Sequence, residues 1–147
     1  MKFQEIDGGE KLQRIYKTQE ACPVARSLDV IGDRWTVLVL RDLILGRGKF
    51  KDLLESLRGI SPNLLSQRLK LLEEQGIVER VFYSDHPPRA EYCLTEKGKE
   101  LIPVLRAMAE WGYKYELDDE KRARPRVLQG LAALGIKTKS IQATTQV

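Results

Sequence analysis

A polar helix pattern that runs directly into a strand pattern constrains this chain more than any other feature. Residues 61–80 carry leucines at helical spacing, Leu65, Leu69 and Leu72, which fall on one face of an amphipathic helix. Gly76 follows at a position where helices commonly end. The residues after it are rich in β-branched and aromatic side chains, as strands are. The pattern predicts a helix seated on a core by its leucines and joined through a glycine to a strand.

The neighbouring residues extend this unit on both sides. A short apolar-periodic segment over residues 50–57 predicts a preceding helix, and Ser61 is expected to cap the helix that follows. Downstream, the runs 77–83 and 90–94 predict two strands around a polar tip at residues 84–89. The predicted fold class is mainly α with a small β-hairpin wing, a winged helix-turn-helix.

The outward side chains of the predicted helix suit nucleic acid. Asn63 and Gln67 can each form two hydrogen bonds to adenine, and Arg68 can do the same to guanine. Lys70 can neutralise a phosphate. The formal charge of the whole chain is only +4, but residues 47–70 hold six basic side chains against two carboxylates. This face is therefore a candidate for reading duplex DNA, although a solvated surface can carry such a cluster by chance.

Length and composition fit one globular domain with tails. The chain has 147 residues, 42% of them hydrophobic and 31% charged. Its longest apolar run is broken by Arg41 and Asp42, and its first residues lack an apolar leader, so we expect a cytoplasmic protein with no membrane partner. We expect an N-terminal arm over residues 1–21, a domain over 22–116 and a partly disordered extension over 117–147 with a short helix through Leu134.

Two helices are expected before the 50–57 segment. Residues 23–31 predict the first, with Val24, Leu28 and Ile31 on one face. Asp33 is expected to cap a second helix that runs through Leu45. Trp35, at the start of that helix, is expected to be a core anchor.

One long helix is expected after the second strand. Thr95 is its predicted N-cap, and Pro103 is expected to kink it. An apolar stripe along it needs a surface to cover it, either its own domain or a second copy of the chain. That stripe consists of Leu101, Val104, Leu105, Met108, Trp111 and Tyr115.

The chain offers few parts for catalysis or metal binding. His86 is the only histidine and falls at the predicted wing tip, where no triad partner accompanies it. Cys22 and Cys93 are far apart in sequence and have no further ligand at zinc-site spacing. Gly46 and Gly48 lack the Lys-Ser/Thr of a phosphate loop. We expect no enzyme activity, no metal and no cofactor.

The order of these motifs, from Cys22 to Gly112, resembles the HxlR-type winged-helix regulators, which are relatives of the multiple-antibiotic-resistance (MarR) repressors. Two departures stand out: Arg34 replaces a typical Lys, and the tail after Leu117 is longer than usual. The segments that carry the resemblance are Cys22-Pro23, Gly32-Asp-Arg-Trp-Thr36, Phe50-Lys-Asp-Leu53, residues 59–69, residues 72–80, Pro87-Pro-Arg-Ala-Glu-Tyr92, Leu94-Thr95, Gly98 and Trp111.

The resemblance implies a bacterial or archaeal transcription regulator that binds a pseudo-palindromic operator as a homodimer, with repression the expected direction. The reading helix would enter the major groove with the wing beside it, and the first and last helices would form the dimer interface. The positions implied for DNA contact are Ser61, Asn63, Gln67, Arg68 and Lys70 on the helix, with Arg80 and Arg89 on the wing. Those implied for the dimer are Leu101, Leu105, Met108, Trp111 and Tyr115.

Cys22 is a candidate redox sensor. It falls at the predicted N-cap of the first helix, where the helix dipole favours a thiolate, and Arg26 adds positive charge one turn later. The resemblance adds that some members of the family sense electrophiles or oxidants through the equivalent cysteine, whereas others do not. The alternative is a structural cysteine at the dimer interface. Cys93, on the second wing strand, is expected to be inert.

Other interpretations stay open at this point. The winged helix could bind protein rather than DNA, since the fold alone does not decide this. A small-molecule effector near Trp35 and Trp111 could replace an oxidant as the signal. Arg89 could be a solvated loop arginine, and Arg68 could pair with a neighbouring carboxylate on the helix surface. The basic run at residues 122–126 could contact a minor groove, but a solvated charge run is the commoner case.

Overall fold

The computed structural model describes residues 15–137, and the chain divides into one unit that ends at Gly98 and another that begins at Lys99. The structure confirms the predicted fold class, a mainly helical chain with one antiparallel two-stranded hairpin. The expected arm therefore lies mostly outside the described residues. The first unit contains a 3₁₀ turn (Lys17–Gln19), α1 (Pro23–Ile31), α2 (Thr36–Ile44), α3 (Phe50–Ser56), α4 (Pro62–Glu74), β1 (Val78–Asp85) and β2 (Pro88–Leu94). After α5 (Glu96–Lys99), the second unit contains α6 (Ile102–Tyr115), α7 (Asp119–Arg122) and α8 (Pro125–Ala133).

Leucines dominate the core of the first unit. The three leucines that predicted the amphipathic helix, on α4, are completely buried. Aliphatic side chains of α2, α3 and the start of β1 are buried with them, which fixes one face of each element. The largest of these side chains are Leu40, Leu53, Leu57, Leu65, Leu69, Leu72, Val39 and Val78.

The helices with predicted caps at Cys22 and Ser61 begin where the sequence places them. The sulfur of Cys22 accepts the backbone N–H of Ala25 at 3.5 Å, and α1 starts at Pro23. The hydroxyl of Ser61 accepts the N–H of Leu64 at 3.1 Å at the start of α4. Gly76 follows α4 with φ +71°, the left-handed conformation that a glycine tolerates best.

The second helix begins later than predicted. Asp33 accepts the N–H groups of Trp35 at 2.8 Å and of Thr36 at 3.1 Å, so it does satisfy helix donors. Its other carboxylate oxygen takes the Thr36 hydroxyl, and regular helix starts only at Thr36 and ends at Ile44. Trp35 is half-buried rather than a fully buried core anchor.

The hairpin is longer than predicted and its tip is shorter. Strand pairing runs from Val78 opposite Leu94 to Asp85 opposite Pro88, with one irregularity near the tip. Only His86 and Pro87 lie between the strands. The expected six-residue loop was wrong because Pro88 can occupy the first position of a strand, where no ladder N–H is needed.

The expected long helix after the hairpin is two helices. Thr95 caps the short α5, since its hydroxyl accepts the N–H of Gly98 at 3.1 Å, but the helix ends at Lys99. Pro103 is the second residue of α6 and does not kink it. A proline in the first turn has no intrahelical hydrogen bond to lose, so this position is one where helices accept it.

Within the second unit, an arginine side chain links α6 to the segment that follows α8. Nε of Arg106 on α6 donates to the carbonyl oxygen of Leu134 at 2.7 Å, just after α8. Leu105, Tyr113 and Leu131 are buried in this unit. The short helix expected through Leu134 corresponds to α8. Disorder was expected over the last dozen residues, of which residues 138–147 lie outside the described part of the chain.

Candidate nucleic-acid interface

The outward face of α4 carries polar side chains. Asn63 and Lys70 are exposed and Gln67 is half-buried. At about 100° per residue these three positions lie within about 60° of one another around the helix axis. The buried Leu65, Leu69 and Leu72 of α4 lie on the opposite side. Ser61 is also exposed, although its hydroxyl is engaged in capping the helix.

Arg68 and Ser66 differ from the sequence-based picture. Arg68 lies about 140° around the axis from Asn63, on the side of Leu64 and the buried Leu71, and it is half-buried. It therefore borders the outward face instead of lying at its centre. Ser66 is exposed and lies beside Asn63 and Lys70 on the outward face. Helical spacing alone indicates this serine, although its side chain is shorter than those of Asn63 and Gln67.

The two wing arginines have different surroundings. Nε of Arg80, on β1, donates to Oε1 of Glu73 in α4 at 3.2 Å. Arg89, the second residue of β2, is exposed and stands opposite Ser84, close to the tip. Within residues 15–137 no carboxylate forms an ion pair with Arg89. Arg89 can therefore meet a phosphate directly, while Arg80 already has a carboxylate partner.

The base of the wing is fixed to the turn between α2 and α3. The N–H of Tyr92 donates to the carbonyl oxygen of Gly48 at 2.8 Å. Beside it, Nζ of Lys49 lies 5.0 Å from the centre of the Tyr83 ring, within cation–π range. These contacts hold the turn against the two-stranded hairpin.

The face of the wing that carries Cys93 is acidic. Glu79 stands directly opposite Cys93 in the strand register, and Glu91 is two residues away on the same face. Burial raises the pKa of the Cys93 thiol, and Glu91 and Glu79 raise it further. A thiol that keeps its proton is a poor nucleophile, which agrees with the expectation that Cys93 is inert.

The candidate sensor lies at an accessible helix start. Cys22 is a free, half-buried cysteine at the N-cap of α1, with Arg26 one turn along. Its backbone is held by hydrogen bonds to Gln19 and from Arg26, both at 3.0 Å. The sulfur accepts the N–H of Ala25 and lies at the positive end of the helix dipole.

Apolar side chains remain exposed on α6. Met108, Trp111 and Tyr115 are 53%, 59% and 61% exposed, and Val104 lies on the same stripe. The Trp111 and Tyr115 rings contact each other, with centroids 5.7 Å apart. Leu105, a predicted dimer-interface residue, is already buried in the single chain. On α1, Val24 and Leu28 are exposed as well.

Two structural findings bear on the classes of function considered. Within residues 15–137 no group of three or more His, Cys, Asp or Glu side chains could hold a metal ion. In the same part of the chain no helix has the length and apolar character needed to cross a bilayer.

Comparison with known proteins identifies the family that this sequence and fold match. Residues 30–120 match the family described as HxlR-like helix-turn-helix. An HTH-type transcriptional regulator from Synechocystis sp. is 41% identical over 97 residues, which cover 66% of this chain and 72% of that protein. The redox regulator HypR in its reduced form has a TM-score of 0.61 and 35% identity, covering 69% of this chain and 99% of HypR. The reduced form of the transcriptional regulator YodB from B. subtilis has a TM-score of 0.55 and 37% identity, covering 64% of this chain and 93% of YodB.

Since more than half of its length matches that family, and its relatives over the same segment are transcriptional regulators rather than enzymes, this chain belongs to the HxlR-like helix-turn-helix family of transcriptional regulators.

Proposed function

We propose that this regulator binds a pseudo-palindromic operator as a homodimer, inserts α4 into the major groove and represses transcription. The observation that carries the proposal is the outward face of α4, where Asn63, Gln67 and Lys70 lie opposite a buried leucine face. Amide groups can read base edges while an ammonium group neutralises a phosphate, so one face provides both sequence preference and affinity. Repression follows if the bound dimer excludes polymerase from the promoter.

The wing completes the proposed interface. Arg89 is exposed next to the hairpin tip, where an arginine can reach the phosphates or the minor groove beside the major-groove site. Arg68, at the border of the α4 face, is proposed as a phosphate contact rather than a base contact.

The exposed stripe on α6 supports the dimer. An apolar patch that contains two contacting aromatic rings is costly to leave in water and is typical of a subunit interface. A two-fold dimer would present two α4 helices to successive half-sites of the operator, which matches a pseudo-palindrome.

Cys22 is the proposed switch. One similar protein, HypR, is named a redox regulator, and Cys22 has an accessible sulfur at the start of α1. Oxidation of that sulfur would change its contact with the Ala25 N–H at the end of a helix that also presents exposed apolar residues. We infer that an oxidant acts on DNA binding through this residue.

The test is DNA selection followed by titration. The unmodified chain would enrich a duplex from a randomised pool, and fluorescence anisotropy would compare that duplex with a shuffled one at several salt concentrations. Lys70→Ala should lower the salt slope by about 1. Asn63→Ala should reduce the preference for the selected duplex by about 1–3 kcal/mol. Lys121→Ala, a lysine that pairs with Asp118 outside the basic run 122–126, serves as the matched control for Lys70→Ala.

The titration can also refute this proposal. Equal, weak affinity for selected and shuffled duplexes would refute sequence-specific DNA binding by this chain. Binding of a protein partner by the winged helix, which the fold also allows, would then be the better explanation.

A further inference from the structure

The ion pair between Glu73 and Arg80 joins the reading helix to the wing directly. Glu73 lies in the last turn of α4 and Arg80 lies on β1, with the glycine turn at Gly76 between them. The bond of 3.2 Å between Nε of Arg80 and Oε1 of Glu73 spans this turn. It is therefore a link between the element proposed to read bases and the element proposed to contact the flanking backbone.

The surroundings of Arg80 belong to the base of the wing. Arg80 stands opposite Tyr92 in the strand register, and the Tyr92 backbone is bonded to Gly48 at 2.8 Å. Burial raises the pKa of the Tyr92 hydroxyl, with Arg80 lowering it and Glu73 raising it, so the three side chains share one electrostatic environment. Arg80 thus lies where the hairpin is anchored.

Arg89 lies at the other end of the same hairpin. It is three residues from Tyr92 along β2, which at about 3.3 Å per residue is about 10 Å of extended strand. A change in the angle of the hairpin at its base therefore displaces Arg89 relative to α4. Contact between Arg89 and DNA depends on how that angle is held.

We propose that the Glu73–Arg80 ion pair positions the wing against α4, and that Arg80 is a positioning residue rather than a phosphate contact. The proposal rests on the DNA-binding function proposed above. Arg80 and Glu73 are 49% and 35% exposed, and pairs with such exposure add little to folding stability. Removing the pair should therefore leave the chain folded while it loosens the wing.

A double-mutant cycle between Glu73→Gln and Arg89→Ala tests this coupling by anisotropy on the selected duplex. In the unmodified chain Arg89→Ala should weaken binding about fivefold and lower the salt slope by about 0.9. In the Glu73→Gln background the same change should cost less than about twofold, because a wing that is no longer positioned gains little from Arg89.

Variants of Arg80 separate positioning from direct contact. Arg80→Ala should weaken binding to the same degree as Glu73→Gln, with a salt slope like that of Glu73→Gln. The exchanged pair, Glu73→Arg with Arg80→Glu, should restore most of the affinity, since the ion pair is re-formed with its ends reversed. Glu79→Gln removes a carboxylate on the other face of the same strand and serves as the matched control, with no loss of the Arg89 effect.

Two results would overturn the inference. If Arg89→Ala costs the same in both backgrounds, the pair does not position the wing. If Arg80→Ala lowers the salt slope by about 1 on its own and the exchanged pair fails to restore binding, Arg80 contacts a phosphate itself. A different result refutes the proposed function itself: the unmodified chain would show no preference for the selected duplex. This inference would then fail as well.

Discussion

Gly48 and Tyr92 lie in direct backbone contact, with the Tyr92 N–H donating to the Gly48 carbonyl oxygen at 2.8 Å. A Cβ at position 48 would lie 2.2 Å from the Tyr92 carbonyl oxygen, far inside contact distance. The base of the wing can therefore approach the turn before α3 only because residue 48 has no side chain. This approach sets where the hairpin leaves the rest of the first unit.

Gly48→Ala should destabilise the fold and weaken DNA binding together. The added methyl group meets backbone atoms, which cannot rotate away, so the strand must shift at a cost of about 1–3 kcal/mol. Urea unfolding would report the loss of stability, and anisotropy on the selected duplex would report the displaced wing.

Gly130→Ala is the control for the Gly48 variant. Gly130 lies inside α8, and nothing lies within 4 Å of a Cβ built there. Alanine should stabilise that helix by up to about 1 kcal/mol, the opposite sign. If Gly48→Ala were as well tolerated as Gly130→Ala, the close approach would not constrain the wing.

Local signals in the sequence predicted local structure well. The caps at Cys22 and Ser61 place the starts of α1 and α4 where the structure has them, because a cap depends on residues within one turn. The strand pattern on either side of His86 predicted the hairpin for a similar reason: alternating and β-branched residues report on the strand itself.

Non-local contacts escaped prediction. The requirement at Gly48 comes from a strand far along the chain, so the residues next to Gly48 in the sequence do not indicate it. Asp42 is completely buried and paired with Arg41 at 3.0 Å, although the pair looked like a polar break in an apolar run. Leu105 and Trp111 both fit one apolar stripe, but only the packing of the folded chain decides that Leu105 is buried and Trp111 exposed.

Arg122 should stabilise the C-terminal extension by closing the end of α6. Its Nε donates to the Tyr113 carbonyl oxygen at 3.0 Å and its Nη2 to that of Lys114 at 2.5 Å, which satisfies two carbonyls near the end of the helix. Arg122→Ala should lower the free energy of unfolding by about 1–3 kcal/mol. Denaturant titration followed by circular dichroism would measure this.

Arg124→Ala provides the comparison for Arg122. Arg124 pairs with Glu120, and both side chains are largely exposed, so its loss should change stability by less than about 0.5 kcal/mol. Equal effects of the two alanine variants would mean that Arg122 acts by its charge and not by closing the helix end.

Trp111→Ala should weaken the proposed homodimer. The ring is exposed within a single chain and contacts Tyr115, so burying it in an interface would make it a major contributor. We expect a loss of about 2–4 kcal/mol of association free energy, measured by sedimentation velocity over a range of concentrations. Phe82→Ala removes an aromatic ring with similar exposure from the wing and should leave the association state unchanged. A chain that is monomeric before any substitution would contradict the dimer.

The two cysteines should differ in reactivity. Cys93 holds its proton because burial, and then Glu91 and Glu79, raise its pKa. Its rate of alkylation by iodoacetamide in the folded protein should therefore stay below that of the unfolded chain at mildly alkaline pH. Cys22 should be alkylated first, as mass spectrometry of peptides after short exposures would show.

The raised pKa of the Cys93 thiol also predicts how folding stability changes with pH. The folded state binds the thiol proton more tightly than the unfolded state, so this contribution is fully present below the unfolded pKa and is lost as pH rises through the folded pKa. Cys93→Ser removes the titrating group and should flatten that part of the curve of stability against pH.

The Cys93→Ser variant should keep any response of DNA binding to a mild oxidant, whereas Cys22→Ser should lose it. An oxidant response that survives in Cys22→Ser and disappears in Cys93→Ser would reverse the assignment of the sensor.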